Sequence, residues 1–266
     1  MRSRSSCGSS LAALQRVQLM RNAIDESTAI GRSFLRCRMP DSGVELTIRV
    51  GEGAGTVSGL LLQPGDARLL NVLAHGAGAG MRHPFLEAIA RHLAARGIAT
   101  LRYQFPYMER RARRPDPPAV ALATVRAAVI EAARAAPGLP LVAGGKSFGG
   151  RMTSTAQAEQ PLPRVRGLAF LGFPLHPPGR PGISRAEHLD LVNVPMLFLQ
   201  GTRDEFAELD LLQQVTRRLG QRATLHPVEG GDHSFKVPKR AGPADRDVMS
   251  ELARAFDAWA SALVRV

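Results

Sequence analysis

Cysteine and aromatic residues are scarce in this chain, and a long apolar run does not occur in it. Both cysteines, Cys7 and Cys37, lie in the first forty residues, so a disulfide framework cannot be what stabilises the fold. Their scarcity favours a reducing compartment, and we expect the protein to be cytoplasmic. A stretch of about 18 apolar residues is missing, so we expect no membrane-spanning helix.

Acidic residues are fewer than basic ones, with 23 against 35, which gives a formal net charge of +12. The basic residues are almost all arginine and are spread along the chain with abundant alanine, glycine and proline. This composition is typical of a GC-rich genome. Aromatic residues that would stack on bases are not interleaved with the basic ones. We therefore expect no nucleic-acid partner.

The first 38 residues differ in composition from the remainder of the chain. They are rich in arginine and serine, and their apolar stretch at 11–14 is too short for the core of a signal peptide. A loose amphipathic helix and an organelle transit peptide remain open. We favour a disordered or mis-assigned extension over residues 1–38, followed by a single domain over residues 39–266.

Apolar runs of strand length alternate with helical patterns through the rest of the chain. Strands are predicted at 44–50, 57–62, 69–74, 98–101, 139–143, 165–171, 194–199 and 223–228. Helices are predicted at 84–96, 119–135, 151–158, 205–219 and 245–264. Such alternation predicts an α/β fold with a mostly parallel central sheet and helices on both faces. The first two strands, joined by Gly-rich residues, form an antiparallel hairpin at the N-terminal edge.

The chain is organised around Gly145-Lys146-Ser147-Phe148-Gly149, a G-x-S-x-G pattern that directly follows the fifth predicted strand. Between a strand and a helix, this pattern is typical of a nucleophile elbow. The flanking glycines are needed because a Cβ there would crowd the neighbouring backbone. Gly145-Lys146-Ser147 could also end a phosphate-binding loop, but the first glycine of that motif is replaced by Pro140. We therefore reject the phosphate-binding loop.

An acid and a histidine follow two later strands. Asp204 comes after the seventh predicted strand, and His233 comes after the eighth. Because active sites of open parallel sheets form at the carboxyl ends of the strands, Ser147 can meet both residues there. The alternatives that remain are Glu205 and Asp210 for the acid and His226 for the base.

These motifs resemble those of the α/β-hydrolase superfamily from about Val44 to the C-terminus. The elbow lies at 145–149, the acid turn at 201–204 and the histidine loop at 231–233, and His75-Gly76-Ala77-Gly78 resembles the oxyanion loop. With the motifs at 144–151 and 172–179, the chain is similar to a dienelactone-hydrolase-like branch. That branch includes uncharacterised bacterial hydrolases and a domain in a subunit of a histone-acetyltransferase complex. Dienelactone hydrolases use cysteine as the nucleophile, whereas this chain has serine.

The residues and the resemblance together imply a serine hydrolase that cleaves a small ester, thioester or lactone through an acyl-enzyme. Ser147 would be the nucleophile, His233 the general base, and Asp204 the group that orients the histidine. The N–H groups of Ala77 and Phe148 would form the oxyanion hole. No cofactor and no metal are expected. The alternative is a hydrolase-like interaction module with little or no turnover.

Further residues could line a substrate pocket. The candidates are His75, Gly78, Lys146, Arg151 and His176. Lys146 and Arg151 either pair with groups beside the elbow or attract an anionic substrate, and His176 is either structural or a substrate contact. His75 more often organises its loop than reacts. The Pro-rich stretch 172–193 allows only a short cap, which favours an open pocket and a small acyl substrate. We expect a monomer or a homodimer.

Overall fold

The computed structural model describes residues 43–51, 53–238 and 247–264. The strands are β1 Val44–Gly51, β2 Gly55–Leu62, β3 Leu69–Ala74, β4 Ile98–Tyr103, β5 Leu141–Lys146, β6 Val165–Leu171, β7 Met196–Gly201 and β8 Ala223–Val228. The α-helices are α1 Pro84–Ala94, α2 Pro106–Glu109, α3 Pro118–Ala135, α4 Phe148–Glu159, α5 Leu209–Leu219 and α6 Val248–Val264. Short 3₁₀ helices occupy Ser184–Leu191 and Gly220–Arg222. The predicted extension over residues 1–38 lies outside the described residues.

The strands form one eight-stranded sheet in the order β1-β2-β4-β3-β5-β6-β7-β8. Strand β2 pairs antiparallel with β1 and with β4, and all other neighbours are parallel. This confirms the predicted fold class, including the hairpin at the N-terminal edge. The register aligns Ala74 with Gly145, and Lys146 with Leu171, so the carboxyl ends of β3, β5 and β6 lie side by side.

Apolar cores cover both faces of the sheet. One core includes Val125 of α3, Met152 of α4 and Val215 of α5, and the other includes Ile89 of α1 and Phe256 of α6. All six residues of β3 are buried because alternate side chains enter opposite cores. This two-sided burial explains why the central strands are continuous apolar runs instead of alternating ones.

Several element boundaries differ from the predictions, and the differences lie near the site. Strand β5 continues to Lys146, so the chain leaves the sheet at Ser147. Helix α5 begins at Leu209 instead of 205, because the Asp204 carboxylate accepts the N–H of Phe206 and forms a turn there. The short helix α2 and the 3₁₀ helix Ser184–Leu191 were not predicted. The cap region 172–193 is therefore partly helical.

Candidate active site

Three strand ends bring together the three residues predicted to react. Ser147 follows β5, Asp204 follows β7, and His233 follows β8. The Ser147 Oγ lies 2.9 Å from Nε2 of His233, and Nδ1 of the same ring lies 2.7 Å from Oδ2 of Asp204. A hydroxyl, an imidazole and a carboxylate are thus joined in one hydrogen-bonded chain.

Ser147 occupies a sharp turn with an uncommon backbone conformation. Its φ is 50° and its ψ is −115°, a region that residues other than glycine rarely adopt. A Cβ at Gly149 would lie 2.5 Å from the carbonyl oxygen of His75, and one at Gly145 would lie 2.5 Å from that of Ala74. The two glycines therefore let the elbow pack directly against the end of β3. Side chains at these two positions would clash with the neighbouring backbone, as the G-x-S-x-G spacing predicted.

The Asp204 carboxylate is buried, and all its recorded partners are donors. Its Oδ1 accepts the N–H of Phe206 over 2.9 Å, and its Oδ2 accepts Nε2 of Gln200 over 2.6 Å. The Nδ1 of His233 must then carry the proton that it shares with Oδ2. Since a neutral imidazole has one donor and one acceptor, Nε2 is left to accept the Ser147 hydroxyl proton. This is the tautomer that a general base at Ser147 requires.

Asp204 differs from the other carboxylates considered for the acid, and His233 differs from the other candidate base. Glu205 and Asp210 are exposed, whereas Asp204 is 4 % exposed. His226 lies within β8, where its Nε2 is 3.2 Å from Oε1 of Glu251 on α6. None of these three residues, Glu205, Asp210 and His226, belongs to the chain of hydrogen bonds at Ser147.

The histidine loop after β8 is held by side chains on both of its sides. The Asp232 carboxylate accepts the N–H groups of Ser234 and Lys236, which makes Asp232 a turn former. The Nζ of Lys146 donates a 2.5 Å hydrogen bond to the carbonyl oxygen of His233. The Phe206 ring packs against the imidazole, with the two ring centroids 4.3 Å apart. These contacts place the imidazole between Asp204 and Ser147.

The loop after β3 packs against the elbow. Its first residue, His75, is fully buried, with Nδ1 2.7 Å from the Gly76 carbonyl oxygen. The Nε2 of His75 accepts the N–H of Phe105 over 3.1 Å. Burial lowers the pKa of His75 to about 4, although the Gly76 carbonyl acts in the opposite direction. His75 is therefore a neutral ring that fixes its loop.

Two N–H groups of this loop have recorded acceptors. The N–H of Gly78 donates to the Tyr107 hydroxyl over 2.9 Å, and that of Ala79 donates to the Gly76 carbonyl over 3.2 Å. Within the described residues, no acceptor is recorded for the N–H of Ala77 or for that of Phe148. These are the two donors predicted for the oxyanion hole.

A cavity of about 560 Å³ opens beside Ser147 and His233. It is lined by Gly76, Ala77, Ala79, His83, Phe85, Leu86, Lys146, Ser147, Phe206, His233, Ser234 and Lys236. Its walls combine apolar side chains with basic ones. Of the five predicted pocket residues, only Lys146 belongs to this lining.

The remaining predicted pocket residues have other surroundings. His75 is buried in the loop after β3, and Gly78 is an exposed residue of the same loop. His176 is buried, its Nδ1 is 2.9 Å from the Pro177 carbonyl, and its Nε2 faces the N–H of Glu208 at 3.4 Å. Arg151 is half-buried on α4, where burial and the nearby Arg185 both lower its pKa. A substrate contact by Arg151 or His176 stays a prediction.

A second serine–histidine pair joins the elbow helix α4 to the 3₁₀ helix Ser184–Leu191, and no sequence pattern predicted it. Ser154 Oγ lies 2.7 Å from Nε2 of His188, which belongs to the 3₁₀ helix of the cap. Ser154 sits within α4, is fully buried, and donates its own proton to the Arg151 carbonyl. Burial and the charge of Arg151 lower the pKa of His188 to about 4. This pair anchors the cap to α4.

Neither a metal site nor a membrane span is evident in the part of the chain that the structure describes. Over residues 43–51, 53–238 and 247–264, no three histidine, cysteine, aspartate or glutamate side chains cluster so as to hold a metal ion. None of the helices in those ranges has the length and apolar character needed to cross a bilayer.

The sheet order, the elbow and the strand-end residues define the architecture of an α/β-hydrolase. The chain belongs to the family described as alpha/beta hydrolase domain, whose profile matches residues 67–261. This membership confirms the predicted superfamily and supports hydrolase activity.

Solved structures share this fold at low sequence identity. Dienelactone hydrolase from Anabaena variabilis is 20% identical, with a TM-score of 0.65, and the match covers 82% of this chain and 97% of that one. A serine hydrolase without a lid from Xanthomonas campestris is 21% identical, with a TM-score of 0.63 and coverages of 83% and 96%. Est1E from Butyrivibrio proteoclasticus is 16% identical, with a TM-score of 0.62 and coverages of 85% and 100%.

Proposed function

We propose that this protein is a serine hydrolase that cleaves a small ester, thioester or lactone through an acyl-enzyme. The observation that carries the proposal is the hydrogen-bonded chain from Ser147 through His233 to Asp204, which lies at the wall of a cavity. A serine hydroxyl is a weak nucleophile unless an adjacent base takes its proton. The bond between Ser147 Oγ and His233 Nε2 supplies such a base.

In the first half of the reaction, Ser147 Oγ attacks the substrate carbonyl while its proton moves to Nε2 of His233. The buried Asp204 carboxylate holds the ring in the required tautomer and stabilises the positive charge that the ring acquires. The carbonyl oxygen becomes an oxyanion beside the N–H groups of Ala77 and Phe148. Each such donor typically contributes about 3 kcal/mol to the stability of the transition state.

The leaving alcohol or thiol takes the proton from Nε2 as the tetrahedral intermediate collapses to the acyl-enzyme. His233 then removes a proton from water, and the resulting attack frees the acid and restores Ser147. Apolar walls such as Phe85, Leu86 and Phe206 suit an uncharged acyl group of limited size. The cap, whose only helix is the 3₁₀ turn over 184–191, favours a short acyl chain.

Labelling with a fluorophosphonate probe tests this function without knowledge of the natural substrate. We expect the wild-type protein to be labelled, and the Ser147→Ala and His233→Ala variants to remain unlabelled. Ser154→Ala and His188→Ala are matched controls, since they disrupt the other serine–histidine pair, and both should be labelled like the wild type. Loss of labelling in Ser154→Ala alone would move the nucleophile to that pair.

A series of p-nitrophenyl esters then tests the acyl preference. We expect acetate and butyrate esters to be turned over faster than decanoate and palmitate esters. A folded wild-type protein that is not labelled by the probe would overturn the hydrolase proposal and favour an interaction module without turnover. The cytoplasmic location, the monomeric or homodimeric state and the lack of a nucleic-acid partner stay predictions from the sequence.

A further inference from the structure

Two residues that are adjacent in sequence contact opposite ends of His233. Ser147 Oγ lies 2.9 Å from the ring nitrogen Nε2, and Lys146 Nζ donates a 2.5 Å hydrogen bond to the main-chain carbonyl oxygen. Both residues stand at the end of β5, one inside the strand and one just beyond it. Residues at the end of β5 therefore bind both the ring and the backbone of His233.

The surroundings of Lys146 are unusual for a lysine that lines a cavity. Burial lowers its pKa to about 8, although the charges of Asp204 and Asp232 act in the opposite direction. Its Nζ lies 5.5 Å from the centroid of the Phe235 ring. Within the described ranges, no carboxylate is close enough to form an ion pair with it, and the His233 carbonyl is its recorded hydrogen-bond partner.

The other contacts of the histidine loop shape the loop but do not touch the His233 backbone. Asp232 accepts two N–H groups further along the turn. The Phe235 ring stacks on Phe85 of α1, with centroids 5.6 Å apart and planes at 9°. In the part of the chain that the structure describes, Lys146 is the recorded donor to the His233 carbonyl.

We propose that Lys146 is a positioning residue, which binds the His233 carbonyl and thereby holds the imidazole at hydrogen-bond distance from Ser147. This inference rests on the proposed hydrolase function. It assigns Lys146 to the orientation of the base instead of to the recognition of an anionic substrate. A misplacement of about 1 Å in such a group can cost about 100-fold in rate, so one hydrogen bond to the loop has a measurable effect.

The test compares Lys146→Met, Lys146→Gln and Lys236→Met. Methionine keeps the length and apolar stem of lysine but cannot donate, whereas glutamine can donate to a carbonyl without a charge. Lys236 lines the same cavity and is exposed, so Lys236→Met removes a positive charge from the cavity without removing the donor to the His233 carbonyl. Each variant is assayed with p-nitrophenyl acetate, which is neutral, and with the p-nitrophenyl monoester of succinate, which carries a carboxylate.

We expect Lys146→Met to lower kcat about 10- to 100-fold on both esters, with KM changed by less than about threefold. Lys146→Gln should recover most of the lost kcat, and the loss of kcat in Lys146→Met should be larger than any change in Lys236→Met. A rise in KM for the charged ester alone, with kcat retained, would overturn the positioning role and make Lys146 an anion-binding residue.

The rate of fluorophosphonate labelling separates this inference from the function on which it rests. If the wild type is labelled and Lys146→Met is labelled at the same rate, the positioning role fails and the hydrolase proposal stands. If folded wild type is not labelled, both fail. Should Lys146→Met not fold, Lys146→Gln decides the matter, since a retained kcat supports the hydrogen bond and a loss as large as about 100-fold excludes it.

Discussion

The Tyr107 hydroxyl accepts a 2.9 Å hydrogen bond from the main-chain N–H of Gly78. Tyr107 is almost completely buried, and its own N–H donates to Oδ2 of Asp116 over 2.7 Å. Asp116 is buried as well and pairs with Arg110. The short helix α2 is thus tied at both ends and reaches across to the loop that contains Ala77. The Gly78 N–H is thus engaged by Tyr107, whereas no acceptor is recorded for the neighbouring Ala77 N–H within the described residues.

We expect Tyr107→Phe to weaken both the fold and the proposed oxyanion hole. The substitution leaves the Gly78 N–H without its acceptor, and since Gly78 is exposed and its N–H can bind water instead, the free energy of unfolding should fall by about 0.5–1.5 kcal/mol. The freed loop should also slow fluorophosphonate labelling of Ser147. Urea denaturation and the labelling rate measure the two effects.

Tyr103→Phe is the control for this prediction. Tyr103 is the other tyrosine of the chain, is equally buried, and hydrogen-bonds Thr153 instead of the loop. The Tyr103→Phe variant should lose about as much stability as Tyr107→Phe and should keep the wild-type labelling rate. Equal labelling by both variants would mean that Tyr107 does not influence the reaction centre.

Gly172→Ala should impair turnover by displacing Lys146. Gly172 has a φ of +68°, and a Cβ there would lie 2.9 Å from Lys146 Nζ and 3.5 Å from Asp204 Oδ2. The left-handed backbone costs about 1–2 kcal/mol with alanine. The flexible end of Lys146 can move away, but it then leaves the His233 carbonyl. We expect kcat for p-nitrophenyl acetate to fall about 10-fold or more.

Gly179→Ala is the control that separates the free-energy cost of a left-handed backbone from the displacement of Lys146. Gly179 has a φ of +69°, nearly that of Gly172, but a Cβ at Gly179 would meet no atom within 4 Å. Both variants should lose similar stability in thermal or urea unfolding, and only Gly172→Ala should lose activity. Normal turnover in a folded Gly172→Ala protein would contradict the importance of the Lys146 contact.

Asp204→Asn should abolish most of the activity while the protein stays folded. An amide in place of the carboxylate cannot accept every donor that Asp204 accepts, so the imidazole would no longer be held in the required tautomer. In a serine protease the equivalent change lowers kcat about 10⁴-fold, and we expect a loss of about 10³- to 10⁴-fold here. Steady-state kinetics on p-nitrophenyl acetate measures it.

Glu205→Gln is the matched control for the acid. Glu205 is the next residue along the chain and is exposed, without a recorded bond to His233. The Glu205→Gln substitution should leave kcat within about twofold of the wild-type value, since an exposed charge interacts only weakly with its surroundings. The reverse outcome, with Glu205→Gln inactive and Asp204→Asn active, would reassign the acid.

Stability should fall as the pH is lowered from 7 to 5, because His75 is buried in its neutral form. In the folded protein, burial holds the pKa of His75 at about 4, whereas a histidine in the unfolded chain has a pKa of about 6.5. Between these values the unfolded chain binds a proton that the folded chain does not, so stability is complete above about 6.5 and is lost towards about 4. From pH 7 to pH 5 this amounts to about 2 kcal/mol.

Urea denaturation at the two pH values measures this difference. His188 adds to it in the same direction, because burial and Arg151 lower its pKa to about 4. In the His188→Gln variant we therefore expect a smaller difference in the free energy of unfolding between pH 7 and pH 5. The remaining difference is the contribution of His75. A free energy of unfolding that is the same at pH 7 and pH 5 in His188→Gln would contradict a buried neutral His75.

Local sequence patterns were sufficient to predict the sheet and the order of Ser147, Asp204 and His233 at its strand ends. Apolar runs, turn glycines and strand–helix alternation depend on neighbours in sequence, so they can be read without a structure. The G-x-S-x-G spacing predicted that a Cβ at either glycine would crowd the neighbouring backbone. In the structure, Gly145 and Gly149 do approach the end of β3 too closely for a Cβ. The loops that meet above the sheet have no such local pattern.

Only the tertiary structure decided what the side chains around the reacting residues contact. From the sequence, Lys146 could either attract an anion or pair beside the elbow, and the structure places its Nζ on the His233 carbonyl. The bond from Tyr107 to Gly78 and the pair of Ser154 with His188 join segments about 30 residues apart. Contacts of this kind arise from how loops pack across strand ends, and no periodicity along the chain records that packing.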